Sequence, residues 1–201
     1  YTKILKELYP DVPVVLGSIE ASLRRLTHYD YWQDKLLPGI LASSPADLLI
    51  YGMGEKPVAE LAARLDRGEP IGALRDIPQT AVLCTEDNIP GGIGDADVML
   101  HSHEQCLADK KAQAENFKHI EVESNMLHAR RILQQVGKKW VVVNPPYPPM
   151  TTEEIDASYD LPYTRVPHPK YKGKRIPAYE MIKQSVNIHR GCFGGCAFCT
   201  I

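Results

Sequence analysis

The chain has 201 residues, 44% hydrophobic and 24% charged, with a net charge of −2. That is an ordinary composition for a globular domain, the weak charge gives no electrostatic case for nucleic acid or an anionic membrane, and no apolar run reaches the ~18–20 residues of a membrane span. Five cysteines, an odd count, suit a reducing, cytoplasmic setting better than a secreted disulfide framework.

Near the start, Ile4, Leu5 and Leu8 fall at helical spacing, which predicts a helix over residues 1–9. The β-branched run Val12-Pro-Val-Val-Leu-Gly17 follows and reads as a buried strand. Ser18, Leu23 and Leu26 suggest a turn into a short helix. Residues 46–51 form a second apolar run closed by Gly52-Met-Gly54. After them Val58, Leu61, Ala62 and Leu65 make the stripe of an amphipathic helix that ends at Gly68. Further strands are expected over residues 79–84, 97–101 and 139–143. Residues 103–136 read as mostly helical, broken near Asn116 and Phe117 and capped by Gly137.

Helices alternating with short apolar strands predict an α/β domain over residues 1–143, a parallel flavodoxin- or Rossmann-like sheet flanked by helices. Ligands of such sheets sit beyond the carboxyl ends of the strands, where Gly17, Gly52 and Gly54 fall. Glu20, Glu55 and His103 also lie near expected strand ends, and could line a cleft or serve as surface and capping residues. No Gly-x-Gly-x-x-Gly fingerprint or phosphate-loop lysine motif is present, so no nucleotide site is read in this half.

The composition changes at Asn144-Pro-Pro-Tyr-Pro-Pro149, a stiff, extended segment. Residues 144–180 read as a linker holding one short helix, capped by Thr151 or Thr152. Arg165, His168, Lys170, Tyr171, Lys172, Lys174 and Arg175 make a basic, aromatic stretch that either is a solvated linker or touches RNA. A last strand is expected over residues 185–189, opening a second domain over 181–201. The chain begins at Tyr1 rather than Met and stops at Ile201 just past a cysteine loop, so it reads as part of a longer protein.

That loop is Cys192-Phe-Gly-Gly-Cys196-Ala-Phe-Cys199, three thiols in eight residues with no fourth cysteine nearby. Three protein thiolates leave an iron–sulfur cubane one iron without a protein ligand. Gly191, Gly194 and Gly195 let the backbone wrap closely where a Cβ would collide. Cys84, which ends an apolar run, and Cys106, in a helical stretch, read as small core hydrophobes. If His189 joined the three thiolates, the set would instead be a Cys3His zinc site, and the chain a zinc-stapled nucleic-acid-binding module. A third alternative is an α/β domain that senses a small molecule, the cysteines being incidental.

The order Cys192, Cys196, Phe198, Cys199 after an expected strand resembles the cluster motif of the radical S-adenosylmethionine superfamily. Asn144-Pro-Pro, Tyr159-Asp-Leu-Pro-Tyr-Thr-Arg165, His168-Pro169, Ile176-Pro-Ala178 and the run from Ser185 to Ile201 resemble the YgiQ-type family within it, as do Gly17-Ser-Ile-Glu-Ala-Ser22 and Tyr51-Gly-Met-Gly-Glu55. The resemblance implies a [4Fe–4S] cluster on Cys192, Cys196 and Cys199, with S-adenosylmethionine as co-substrate. It places Phe198 near the adenine; beside it, Gly194 and Gly195 read as cofactor-binding positions, and Arg190 either stabilises a negatively charged cluster or pairs with a carboxylate. It also implies that residues 181–201 open a truncated barrel, that a reductant such as a flavodoxin or ferredoxin acts as partner, and that a 5′-deoxyadenosyl radical attacks an unassigned substrate. The α/β half is similar in layout to cobalamin-binding domains, but the chain carries no Asp-x-His-x-x-Gly setting for the cobalt ligand.

Overall fold

The computed structural model describes residues 1–189 and residue 191. In chain order the elements are α1 (Thr2–Leu8), β1 (Val15–Leu16), α2 (Ser18–Leu23), the hairpin strands β2 (His28–Asp30) and β3 (Lys35–Leu37), α3 (Ile40–Ser43), β4 (Leu48–Ile50), α4 (Glu55–Asp66), β5 (Thr80–Cys84), β6 (Val98–Met99), α5 (His103–Ala108), α6 (Lys110–Ser124), β7 (Ile132–Val136), β8 (Lys139–Val143), α7 (Thr152–Tyr159) and α8 (Pro177–Ile182). Residues 1–149 form one compact unit, and a second begins at Met150.

The first unit is a six-stranded sheet in the order β1-β4-β5-β8-β7-β6, with helices on both faces. Side chains alternate across it with the period of two that a pleated strand imposes. On β8, Val141 and Val143 point to one face with Leu49, Ala81 and Ile132. Trp140 and Val142 point to the other with Leu48, Val82 and Leu133. Ala21 of α2, Leu41 of α3 and Ile120 of α6 cover the first face, and Leu61 of α4 with Leu74 and Ile77 covers the second. Burying each of these leucines is worth roughly 1.5–3 kcal/mol relative to leaving it exposed.

The α/β class and the helix-flanked sheet stand. The pairings are parallel at the two ends of the sheet, β1 with β4 and β6 with β7, and antiparallel at the three joints between them. Runs such as Val141-Val-Val143 record burial on both faces, and that burial is the same whichever way the neighbour runs.

The sequence expectation differs most over residues 125–136. The helix ends at Ser124, and its interruption lies at Asp109, whose side chain caps α6 by accepting from the Lys111 N–H at 2.9 Å, not near Asn116. Ile132–Val136 is a strand. Gly137, expected as a helix cap, instead sits at φ +59° in the two-residue turn that joins β7 to β8. Gln134 is polar and fully buried, yet satisfied: its Oε1 accepts from the Thr27 N–H at 2.8 Å and its Nε2 donates to the His101 carbonyl at 3.1 Å. The β2–β3 hairpin and α3 carried no clear periodic signal.

In the second unit, Thr151 caps α7 with a reciprocal Thr151–Glu154 box. No residue from 150 to 189 is buried. The strand expected over 185–189 is not formed: these residues are exposed and join no ladder among the described residues. A barrel's first strand has nothing to pair with unless its neighbours are present.

Candidate functional site

The carboxyl ends of β1, β4 and β8 lie at one edge of the sheet, since β1 and β4 are parallel and β8 is antiparallel to the β5 that separates it from β4. The chain leaves β1 for α2 on one face and β4 for α4 on the other. Neighbouring parallel strands that diverge in this way open a crevice at their carboxyl ends.

The loops at this edge are stitched together. The Ser22 hydroxyl donates to the Ser18 carbonyl at 2.9 Å and accepts from the Gly52 N–H at 3.1 Å, joining the turn after β1 to the turn after β4. Gly52 sits at φ +65°, where glycine carries no steric penalty. Gln79, also at positive φ, donates its carboxamide N–H groups to the carbonyls of Tyr51 (2.8 Å) and Met53. Beneath them the buried Arg25 guanidinium lies 4.9 Å from the Tyr51 ring centroid and donates to the Ser22 carbonyl. Burial pushes the Arg25 pKa down and the Tyr51 pKa strongly up.

The same edge launches the chain out of the sheet. The Tyr51 hydroxyl donates to the Asn144 carbonyl at 2.6 Å, and the Gln79 N–H donates to the Pro145 carbonyl at 2.8 Å. The buried Asn144 carboxamide donates to the carbonyls of Arg75 (2.9 Å) and Ile77 (3.0 Å), with the Thr80 hydroxyl 3.1 Å away. Three residues on, Tyr147 donates to the Glu60 carboxylate of α4, with the Lys56 ammonium 6.0 Å from its ring. Burial and this hydrogen bond raise the Tyr147 pKa. Asn144-Pro-Pro-Tyr147 is therefore a strap fixed at both ends, which sets where the polypeptide leaves the sheet. These groups orient backbone and hold charge.

Of the three polar residues placed near strand ends, Glu20 is exposed and pairs with Arg24 at 3.3 Å, and Glu55 occupies the first turn of α4, where a carboxylate suits the helix dipole. His103 lies at the opposite edge, because β6 runs antiparallel to β8 and β4. There its Nδ1 lies 3.1 Å from the Thr27 hydroxyl, and burial lowers its pKa. The three do not share a cleft.

Cys84 and Cys106 are free thiols in the core, with pKa values raised chiefly by burial. Cys106 Sγ also accepts from Asn116 Nδ2 at 3.1 Å. Both match the reading of them as core hydrophobes. Cys192, Cys196 and Cys199, with Arg190, Gly194, Gly195 and Phe198, lie outside the described residues. Leading to them, His189 is exposed and Gly191 holds φ +87°. Among the described residues, no group of three or more His, Cys, Asp or Glu side chains is placed to hold a metal, and no helix is long and apolar enough to cross a membrane.

In the basic stretch, which is exposed, the Lys170 ammonium lies over the ring of its neighbour Tyr171 (4.9 Å) and the Lys170 backbone N–H donates to His168 Nδ1 (3.2 Å). Sequence reasoning missed Arg25, Gln79 and the Asn144–Tyr147 strap as structural determinants. For the strap a signal existed: an asparagine fused to a Pro-Pro pair at the end of an apolar run.

The family model described as radical SAM N-terminal matches residues 1–185. The chain belongs to this family. The UPF0313 proteins of Porphyromonas gingivalis and Bacteroides thetaiotaomicron are each 66% identical across the whole chain, which covers 32% and 34% of them. The UPF0313 protein YgiQ of Escherichia coli K12 is 41% identical, again across the whole chain and 34% of the relative. The motif resemblance to YgiQ-type radical SAM proteins is thus borne out. The chain spans about a third of the length of these curated relatives. No solved structure matches it.

Proposed function

We propose that this chain is the N-terminal part of a radical S-adenosylmethionine enzyme and delivers the cluster loop to the barrel that follows. Cys192, Cys196 and Cys199 would hold a [4Fe–4S] cluster. The donor set fits: three thiolates in eight residues leave one iron open, and the other two cysteines are committed to the core. When bound, the cluster and S-adenosylmethionine together supply the electron transfer that yields a 5′-deoxyadenosyl radical.

The chain's own residues do the positioning. Asn144 and Tyr147 fix the exit from the sheet, Gly191 permits a left-handed turn ahead of the first thiol, and Gly194 and Gly195, having no Cβ, would let the backbone approach the cluster. Phe198 would lie beside the adenine. A reducing cytoplasm and a flavodoxin- or ferredoxin-like reductant complete the reading; the substrate is unassigned.

The observation that carries it is the Cys192-x-x-x-Cys196-x-x-Cys199 spacing at the end of a chain whose first 185 residues match the radical SAM N-terminal family. The test is anaerobic purification of the full-length protein. Iron and sulfide in cubane stoichiometry, lost when any one of the three cysteines is replaced by alanine, and 5′-deoxyadenosine formed after reduction are the expected results. Stoichiometric zinc without sulfide refutes the proposal in favour of a zinc-stapled module.

A further inference from the structure

Not one of the first 20 residues is buried, although they contain a helix and an edge strand of the main sheet. Their apolar side chains sit in solvent: Ile4 is 56% exposed, Leu8 65% and Ile19 63%, with Leu5, Val12 and Val15 also exposed, and just beyond them Leu23 is exposed too. Ile4 and Leu8 fall at i, i+4 on α1, and Ile19 and Leu23 at i, i+4 on α2, so each helix presents an apolar pair on one side.

Single exposed apolar residues are ordinary, but a run of this kind marks a surface that another element covers. A seven-residue helix with no buried side chain has little of its own to hold it in water. Here Lys6 tethers it, donating to the Val12 carbonyl at 3.0 Å and pairing with Asp47 at 2.7 Å, while Asp47 also accepts from the Val14 N–H at 2.7 Å. Those polar ties fix α1 against the entrance to β1 and β4, yet leave its apolar side outward. β1 pairs with β4 on one side and with no described strand on the other. An uncovered edge of this kind is one that folded proteins normally cover or charge.

We infer that the α1–β1–α2 edge is an intramolecular docking surface for the part of the full-length polypeptide outside residues 1–201. The relatives carry this chain as only about a third of their length, so about two thirds of the same polypeptide is available to cover it. β1 is two residues long, too short for a continuous sheet across two copies to rest on it. The inference does not depend on the cluster.

The test uses the full-length protein with the photo-reactive residue benzoylphenylalanine in place of Leu8 or Ile19, prepared as an equal mixture of light- and heavy-isotope chains. Cross-linked peptides are expected from outside residues 1–201 and from the same isotope as the probe. The same probe at Val58, exposed on α4, serves as reference. The inference is overturned if the partner peptides lie within residues 1–201, if mixed-isotope pairs dominate and reveal a second copy, or if cross-linking is no more frequent than at position 58.

A second measurement guards against a probe that disturbs folding. Leu8→Asp, at an exposed position of a helix with no buried residue, is expected to leave exchange of residues 80–84 and 139–143 unchanged. It should speed amide exchange of the covering segment by at least ~10-fold; unchanged exchange there sinks the inference. The same cross-links are expected when Cys192, Cys196 and Cys199 are all alanine, so failure of the docking and failure of the cluster are separately visible.

Discussion

Residues 79–144 and residues 150–189 are built on different physical terms. In the first, β5 and β8 meet along a ladder from Ala81–Val143 to Cys84–Trp140, sandwiched by helices on both faces, and buried polar groups such as Gln134 and Asn144 find partners within the unit. In the second, α7 is capped by Thr151 while α8 has no side-chain cap, and no side chain is buried. The first region carries its own hydrophobic driving force. The second has local signals and no core, so its share of the stability must be small.

The sharpest break between them is a cavity substitution in each. Leu133→Ala, at a fully buried position of β7, should cost about 2–5 kcal/mol. Ile155→Ala, on the half-buried side of α7, should cost no more than about 0.5 kcal/mol. Equilibrium denaturation of the full-length protein checks both, and comparable losses would erase the contrast.

Asn144→Ala tests whether the exit of the chain belongs to the first region. It removes the donor to the carbonyls of Arg75 and Ile77 and leaves them buried, at a cost of about 1–3 kcal/mol. An Asn144→Asp variant, which cannot donate, should be no better.

A smaller effect is a pH dependence confined to the first region. The Arg131 guanidinium grips Asp97 through two hydrogen bonds of 2.8 and 2.6 Å and holds its carboxyl pKa below the usual range. A carboxylate with a depressed folded-state pKa contributes stability that is fully present above its unfolded value of about 3.9 and is lost as pH falls through the folded pKa. Arg131→Met should therefore flatten the acid limb of stability below about pH 4 relative to wild type, read by denaturation at graded pH.

The most local effect belongs to the second region. Thr151→Ala removes the cap that accepts from the Glu154 N–H. The loss, about 0.5–2 kcal/mol of helix stability, should appear as faster amide exchange within α7 and leave the denaturation midpoint of the sheet unmoved.

Much of the unit over residues 1–149 was legible. The stripe of Val58, Leu61 and Leu65 marked α4, the runs at 46–51, 79–84 and 139–143 each contain a strand, and Cys84 and Cys106 were readable as core residues. The region over 132–136 was not legible, because Ile-Leu-Gln-Gln-Val carries two glutamines and no apolar alternation. It is a strand because it pairs with β8 across the Gly137 turn and with β6 on its other side, and the carboxamide of its buried Gln134 is satisfied by Thr27, 107 positions away in the chain. His103 was drawn toward a cleft with Glu20 and Glu55 because its place depends on the direction of β6, which local sequence does not encode.

What the sequence by itself determined is the spacing of three thiols, on which the proposed cluster rests, and the class of fold. Both are local properties: the thiol spacing lies within eight residues, and burial on both faces writes itself into each strand as an unbroken apolar run. Only the tertiary structure decided which strands run antiparallel, which carboxyl ends share an edge, and that the first 20 residues leave their apolar side uncovered. Those depend on pairings between distant segments, where the energy lies in contacts that no single window of residues contains.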